Sequence, residues 1–322
     1  MPSIRTLFKH SMGRDTVLSI VEDEPFRFAP GTVMSYSNTG YFLLGYIIEN
    51  ASNQSYESYL EEHILGPAGM VNTYYCDEKS VNRNKAHGYE RHPKKGFLHK
   101  DFEVHIWPYS AGSLCSTVRD LVKWNQELHN GDILADSLYQ EMITPGQLAD
   151  GTKVLYGMGL GVYTDNGLPV IGHGGAISGY ISESRYYPDQ DLTIVALQNT
   201  TSPPPPQALS ESLAQIVIGT EEDKKKNSYS GNLNDLTGRY TGPVRGRILD
   251  LTIEAKDGKL IMRMTGREAE GDTLQHVSGL TWKWQDKQFI TFGKVSDQVV
   301  ELRSTARGIG LYTGYYILRR VM

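Results

Sequence analysis

The chain has 322 residues, of which 39% are hydrophobic and 21% are charged, and its net charge is −5. This length allows two domains or one large one, and the composition is typical of a soluble globular protein. The mild negative charge, with no basic stripe in the sequence, argues against a nucleic-acid partner. No apolar run is long enough to span a membrane, and the residues after Met1 contain no secretory hydrophobic region.

The first elements in the chain are a helix, a turn and a second helix. Residues 3–13 predict a short amphipathic helix closed by a glycine. A Pro30-Gly31 turn then leads into an extended segment, and Ser37 or Asn38 can cap the apolar helix that follows. Tyr36 and Asn38 lie two residues apart, so in an extended segment both side chains would point to one face. A phenol and a carboxamide would then lie near a positively polarised helix N-terminus, which favours anions.

The next segments are a capped helix and a polar region rich in histidine. Ser55 is expected to cap a helix that runs to residue 65 and ends at the Gly-Pro that follows. Residues 72–106 are polar and contain four scattered histidines: His87, His92, His99 and His105. Their spacings match no metal-ligand pattern, so we expect loop residues that face water or line the rim of a cleft, and no metal site.

The region from 109 to 131 predicts a capped helix preceded by small residues. Thr117 and Asp120 resemble a capping box, and the helix should end at Asn130-Gly131. Ser113 and Ser116 have no base adjacent in sequence, which favours structural roles over a role as nucleophile.

The two cysteines, Cys76 and Cys115, fit no metal spacing and leave the redox compartment open. Cys115 is expected to be a small buried hydrophobe.

From residue 154 onward the pattern changes to short strands. Four runs separated by turn residues predict consecutive antiparallel strands at 154–163, 168–171, 180–187 and 192–197. An apolar-striped helix at 207–218 should pack on that sheet, which predicts a mixed α/β layer and not a parallel doubly wound fold. Residues 220–228 have the composition of a linker, and the remainder is β, with a hairpin at Lys256-Asp257-Gly258.

Two of these segments resemble motifs of one family. Tyr36-Ser37-Asn38 with its flanks resembles the Tyr-x-Asn motif of the serine β-lactamase and penicillin-binding superfamily, in the branch of class C β-lactamases, D-amino-acid-releasing peptidases and esterases. His173-Gly174-Gly175-Ala176 resembles the Lys-Thr-Gly element, in the His-x-Gly form. The resemblance implies an antiparallel sheet flanked by helices. It also implies a partial domain at 1–219, a linker at 220–233 and a small lipocalin-like β-barrel domain at 234–322.

The resemblance also implies roles for single residues. Tyr36 would be the general base, Asn38 would bind the substrate amide, and His173 would bind substrate or relay protons. Gly174 and Gly175 would let the strand backbone approach a ligand, and the Ala176 N–H would be one oxyanion donor. The family uses no cofactor. Its members are often extracytoplasmic, but this chain gives no localisation signal of its own.

The family's nucleophile motif, Ser-x-x-Lys, does not occur in these 322 residues. The nearest match is Thr6-Leu7-Phe8-Lys9, in a segment that aligns downstream of the nucleophile. Only 35 residues precede Tyr36, so we expect an N-terminally incomplete catalytic domain whose sheet exposes an apolar face.

Three hypotheses follow for the function. The chain is part of a serine acyl-hydrolase that cleaves amides or esters through an acyl-enzyme, a non-catalytic binding or regulatory relative, or a subunit completed by a partner chain. The expected partners are a small-molecule or peptide substrate and a complementing N-terminal segment or a second copy. β-Lactams, D-amino-acid peptides and small esters all stay open as substrates.

Overall fold

The computed structural model describes residues 13–321, except for 78–83, 93, 101–104, 166–167, 203, 219–228, 245–246, 266–270, 279, 285–287, 296–297 and 305–315. The helix predicted at 3–13, apart from its closing glycine, and the linker predicted at 220–228 lie outside the described residues.

The chain forms two compact units. The first comprises Met1–Arg27, Ser37–Thr144 and Gly157–Ile218, and the second comprises Phe28–Tyr36, Pro145–Tyr156 and Gly219–Met322. The domain boundaries inferred from sequence, 1–219 and 234–322 with a linker between them, stay a prediction.

Six α-helices lie in the described part of the first unit: α1 Arg14–Val21, α2 Asn38–Ser52, α3 Tyr56–Leu60, α4 Val118–Asn130, α5 Asp136–Ile143 and α6 Pro206–Ile218. Two predicted caps are confirmed, because Ser55 Oγ accepts from the N–H of Ser58 and Thr117 Oγ1 accepts from the N–H of Asp120. The helix predicted to run from 55 to 65 changes at Leu60 into a π-helical turn, Glu61–Leu65.

Four antiparallel strands form the main sheet in the order β5 Gly161–Asp165, β6 Leu168–Ile177, β7 Tyr180–Tyr187 and β8 Leu192–Gln198. The strand predicted at 154–163 is wrong over 154–160, where Gly159 adopts a φ of +83° and the chain is irregular. The strand predicted at 168–171 is too short. It continues through His173 and the two glycines to Ile177, because each residue from 171 to 177 pairs with β7.

Helices cover both faces of this sheet. Ser184 of β7 accepts a hydrogen bond from the side chain of Asn125 in α4, whereas the adjacent Arg185 contacts Glu211 in α6. Since successive strand residues point to opposite faces, α4 and α6 lie on opposite sides of the sheet. The mixed α/β layer predicted from the sequence is therefore present.

An aromatic cluster forms a core in the helical part of the first unit. The buried ring of Tyr109 contacts four other aromatic side chains, and these are Phe42, Tyr46, Tyr56 and Tyr75. The guanidinium of Arg14 lies 4.6 Å from the Tyr109 ring and pairs with Glu49 at 2.9 Å. This cluster joins α1, α2 and α3 to the turn at 109–111.

Two short sheets complete the first unit. β1 Tyr74–Tyr75 pairs with β4 Leu114–Cys115, and β2 Tyr89–His92 pairs with β3 Gly96–His99. A disulfide joins Cys76 to Cys115, whose Cα atoms are 5.6 Å apart. The expectation that Cys115 is a small buried hydrophobe is therefore wrong, because its sulfur is bonded to that of Cys76 and the residue is only half-buried.

In the part of the second unit that the structure describes, eight antiparallel strands pair into a closed ring: β9 Gly238–Val244, β10 Arg247–Lys256, β11 Lys259–Met264, β12 Asp272–Ser278, β13 Thr281–Trp284, β14 Gln288–Val295, β15 Gln298–Ser304 and β16 Tyr316–Val321. Buried residues recur at every second position, as in Leu260 and Met262 or Trp282 and Trp284. The predicted Asp257-Gly258 turn joins β10 to β11, and both turn residues have positive φ. The likeness to lipocalins stays a prediction.

Candidate active site

The helix that follows the tyrosine motif begins at Asn38. Ser37 is extended, with φ of −141° and ψ of 116°, and its side chain makes no capping hydrogen bond. Asn38 is exposed and already helical, so the expectation that Tyr36 and Asn38 share one extended segment is wrong. The carboxamide of Asn38 lies in the first helical turn, where the N–H groups have no partner within the helix.

One close contact fixes the position of α2. Ser110 Oγ donates to the carbonyl oxygens of Tyr41 and Phe42 at 2.8 and 3.1 Å. Gly45 lies against the same turn, and a Cβ atom there would be 2.5 Å from the Tyr109 ring. The helix that begins at Asn38 is therefore held against residues 109–110 by the hydrogen bonds of Ser110. This close approach requires glycine at position 45, because a larger residue would overlap with Tyr109 and Ser110.

Tyr36 belongs to the second unit. Its ring meets that of Tyr156 edge-on, with centroids 6.1 Å apart and an interplanar angle of 86°. The segment before it starts with a turn in which Gly31 adopts φ of +78° and its carbonyl accepts from the N–H of Ala149 at 2.8 Å. The predicted Pro30-Gly31 turn is thus present, and positive φ explains the glycine.

His173, Gly174, Gly175 and Ala176 lie inside β6, and not between two strands as the sequence suggested. The cross-strand partner of His173 is Ser184, which bonds to Asn125 of α4. His173 therefore lies on the face of the sheet that α4 covers. Its Nδ1 is 2.6 Å from the carbonyl oxygen of Gly174.

One edge of β6 is unpaired along this motif. The pairing with β5 stops at Gly161 opposite Gly172, whereas the pairing with β7 continues to Ile177. Among the described strands, none pairs with the β5-side edge of residues 173–177. An extended ligand can bind to such an edge as an added strand.

Two glycines of β6 allow close packing against β7. A Cβ at Gly175 would lie 2.6 Å from Ser182 Oγ, and one at Gly172 would lie 3.1 Å from the Cα of Arg185. Glycine at these positions keeps β6 and its partner side chains in register.

A charged cluster that was not predicted from the sequence lies on the other face of the sheet. Arg185 is 1% exposed, and its guanidinium lies 2.9 Å from Glu183 and 3.2 Å from Glu211. Because Glu183 is the cross-strand partner of Gly174, this cluster lies next to the motif strand. Alternation in Glu-Ser-Arg was the only signal, and it does not reveal that both charged residues are buried.

The histidines and serines singled out earlier have different surroundings. His87, His92 and His99 are exposed, but His92 and His99 lie in β2 and β3 and not in loops as expected. His105 is 6% exposed and does not face water. Ser113 Oγ donates to the carbonyl of His105 at 2.7 Å, and Ser116 Oγ lies 2.7 Å from Thr73 Oγ1. Both serines have the structural roles that were expected.

The profile of the Beta-lactamase family matches residues 2–217, about two thirds of the chain. The chain belongs to this family. It is also similar to D-aminopeptidases: 28% identical over 252 residues to that of Brucella canis and 27% identical over 252 residues to that of Cereibacter sphaeroides. These matches cover 78% of this chain but only 46% and 44% of the two relatives, so the chain spans less than half of their length.

Solved structures share the fold. The octameric penicillin-binding protein homologue from Pyrococcus abyssi has a TM-score of 0.58 at 22% identity, covering 96% of this chain and 70% of that one. The D-amino acid amidase from Ochrobactrum anthropi has a TM-score of 0.56 at 23% identity, covering 66% of each chain. The chain therefore has a β-lactamase-like fold, and none of its described helices is long and apolar enough to cross a bilayer.

Proposed function

We propose that this chain is the cleft-forming part of a serine hydrolase that cleaves an amide bond next to a D-amino acid through an acyl-enzyme. The nucleophile comes from a Ser-x-x-Lys segment outside these 322 residues. The observation that carries the proposal is the open edge of β6 at 173–177, within a chain of the Beta-lactamase family. The D-aminopeptidase relatives support the choice of an amide substrate.

The open edge gives the substrate a binding mode. An extended substrate backbone pairs with β6, and Gly174 and Gly175 leave room for it because they carry no side chains. The Ala176 N–H is one donor to the oxyanion of the tetrahedral intermediate. His173 binds the substrate or relays a proton at this strand.

The remaining roles follow from the tyrosine motif. Tyr36 accepts the proton of the nucleophilic serine and passes it to the leaving amine. Asn38 binds the substrate amide from the first turn of α2. A lysine one turn after the serine lowers the proton affinity of the serine and helps to hold Tyr36 as a phenolate.

Exposed apolar side chains support the proposal that a segment outside these 322 residues covers part of the domain. On α6, Leu209, Leu213, Ile216 and Val217 form a stripe at helical spacing, and all four are exposed. On α2, Leu43, Leu44 and Ile47 are also exposed. β8 is an edge strand of the described sheet. A strand and a helix from another segment would bury these surfaces, and β8 would gain a partner.

Intact-mass spectrometry after reaction with a fluorophosphonate tests the proposal. The 322-residue chain should form no adduct, whereas the protein extended by the coding sequence upstream of Met1 should form one adduct on the serine of Ser-x-x-Lys. The extended protein should hydrolyse D-alanine p-nitroanilide faster than the L-isomer. Tyr36→Phe should lower kcat/KM by about 10²- to 10⁴-fold, whereas Tyr59→Phe, on α3, should leave it unchanged.

Three outcomes contradict the proposal. An adduct on the 322-residue chain would place the nucleophile within it. Extended protein that is folded but forms no adduct would not be a serine hydrolase. A reading frame that begins at Met1 without Ser-x-x-Lys would favour the binding module or the subunit completed by a partner chain.

A further inference from the structure

The hairpin formed by β2 and β3 concentrates positive charge in an acidic chain. Residues 84–100 include five Lys or Arg residues and one acidic residue, Glu90. The carboxylate of Glu90 accepts a hydrogen bond from Ser178 Oγ at 2.5 Å, so this acid faces the turn between β6 and β7. The low net charge of the chain thus conceals a local basic cluster, and the expectation of no basic stripe misses it.

Apolar side chains lie among the cations at the tip of this hairpin. Arg91, Lys94 and Lys95 are exposed, and Phe97 and Leu98 expose 60% and 39% of their surface. Arg91 is the cross-strand partner of Phe97, so both side chains lie on one face of the hairpin. The tip therefore presents apolar surface bordered by three cations.

Hydrogen bonds hold the base of the hairpin in place. Tyr180 Oη donates to the carbonyl of Ala86 at 2.8 Å, and Asn199 Nδ2 donates to the carbonyl of His87 at 2.8 Å. The ammonium of Lys100 lies 5.4 Å from the ring centroid of Tyr180. Because the base is fixed to the main sheet, the tip is presented without a large ordering cost when a partner binds.

We propose that the tip of the β2–β3 hairpin docks on the surface of an anionic lipid bilayer. Phe97, on the same face as Arg91, enters the boundary between headgroups and acyl chains, as apolar side chains of interfacial elements do. Arg91, Lys94 and Lys95 contact the anionic headgroups. Charge complementarity selects this occupant, since an uncharged partner would cover Phe97 but leave three cations without a counter-charge.

Vesicle co-sedimentation of the full chain tests this surface. The chain should bind vesicles of phosphatidylcholine mixed with phosphatidylglycerol, and the binding should weaken as salt rises. Lys94→Gln with Lys95→Gln should weaken binding about 25-fold, since each cation near an anionic surface strengthens it about fivefold. Phe97→Ala should weaken it about tenfold.

A second hairpin of the same chain is the matched control. Lys256 and Lys259 flank the β10–β11 turn and are also exposed, so Lys256→Gln with Lys259→Gln should leave binding unchanged. The proposal would be overturned if this control weakened vesicle binding as much as Lys94→Gln with Lys95→Gln does. It would also be overturned if the chain bound vesicles of phosphatidylcholine alone as tightly as vesicles that contain phosphatidylglycerol. Retention of soluble polyglutamate without vesicle binding would also overturn it and would indicate an acidic polymer as the partner. Circular dichroism checks that each variant is folded.

Discussion

Gly45 is the residue on which the position of α2 depends most directly. An added Cβ would lie 2.5 Å from the Tyr109 ring and 2.7 Å from Ser110 Cβ. Alanine favours a helix by about 1 kcal/mol over glycine, but the overlap outweighs that gain. We therefore expect Gly45→Ala to lower the free energy of unfolding by about 1–3 kcal/mol, measured by urea denaturation.

Gly40, in the same helix, provides the control. A Cβ at Gly40 would have no heavy atom within 4 Å, and this residue is exposed. Gly40→Ala should therefore stabilise the protein by up to about 1 kcal/mol. Equal effects of the two substitutions would mean that the contact with Tyr109 and Ser110 does not position α2.

His129 makes the stability depend on pH. Its ring stacks on Tyr186 at 3.9 Å, and Nδ1 lies 2.8 Å from the Tyr139 hydroxyl. Burial lowers the pKa of His129 to about 4, although nearby Asp191 opposes the shift. The folded state therefore holds the ring in its neutral form. The contribution of the neutral ring to the free energy of unfolding is complete above pH 6.5 and is lost as the pH falls from 6.5 to 4. We expect the free energy of unfolding to fall by on the order of 2 kcal/mol over this range, a value that already allows for the part of the ring that faces water.

Thermal denaturation at pH 7.5, 6 and 4.5 measures this effect. His129→Phe retains an aromatic ring against Tyr186 but cannot titrate. The difference in Tm between pH 7.5 and pH 4.5 should be smaller in this variant than in the wild type. An unchanged difference would assign the pH dependence to other groups.

At the scale of elements, a buried charge cluster joins β7 to α6. Arg185 lies between Glu183 and Glu211, and Gln207 Nε2 donates to Glu211 at 2.9 Å. Removing the cation takes away the positive charge that lies between two carboxylates, so Arg185→Met should cost about 3–5 kcal/mol of unfolding free energy. In Arg263→Met, which removes an exposed pair with Glu254, the cost should stay below about 1 kcal/mol. Similar costs would show that burial does not decide the strength of the pair.

The sequence predicted elements well where a local signal sets their ends. Thr117 and Ser55 cap the helices that follow them, and the Asp257-Gly258 turn has the positive φ values that its sequence demands. The prediction for β6 ended the strand at residue 171, because glycines usually end a strand, whereas here the strand continues through them to Ile177. The pairing of 171–177 with β7 is a long-range property that no local window contains.

The candidate site was predicted only in part for the same reason. Tyr36, Asn38 and His173 stand out through motifs, and their catalytic roles stay predictions. The open edge at 173–177 depends on β5 beginning only at Gly161, which the sequence does not mark. The disulfide between Cys76 and Cys115 depends on the pairing of β1 with β4, two strands of two residues each. Strands this short have no recognisable period.

At the scale of the whole molecule, the apolar stripe of α6 should govern association. Ile216 and Val217 expose 77% and 64% of their surface, next to exposed Leu209 and Leu213. Without a covering segment, two copies can bury these stripes against each other, so the 322-residue chain should self-associate through α6. We expect light scattering after size-exclusion chromatography to show a species larger than a monomer.

Substitutions on and off the stripe test whether α6 is the surface involved. Ile216→Lys with Leu209→Lys should shift the chain towards the monomer, because burying two unpaired ammonium groups costs more than the contact gains. Ile248→Lys, at a site in the second unit that is 68% exposed, should leave the larger species unchanged. A monomeric wild-type chain would mean that the apolar stripe of α6 stays exposed to water and does not drive association. Loss of the larger species with Ile248→Lys would place the association on the second unit. If the segment that carries Ser-x-x-Lys covers α6, adding it should abolish self-association, and the two α6 substitutions should weaken its binding to the chain.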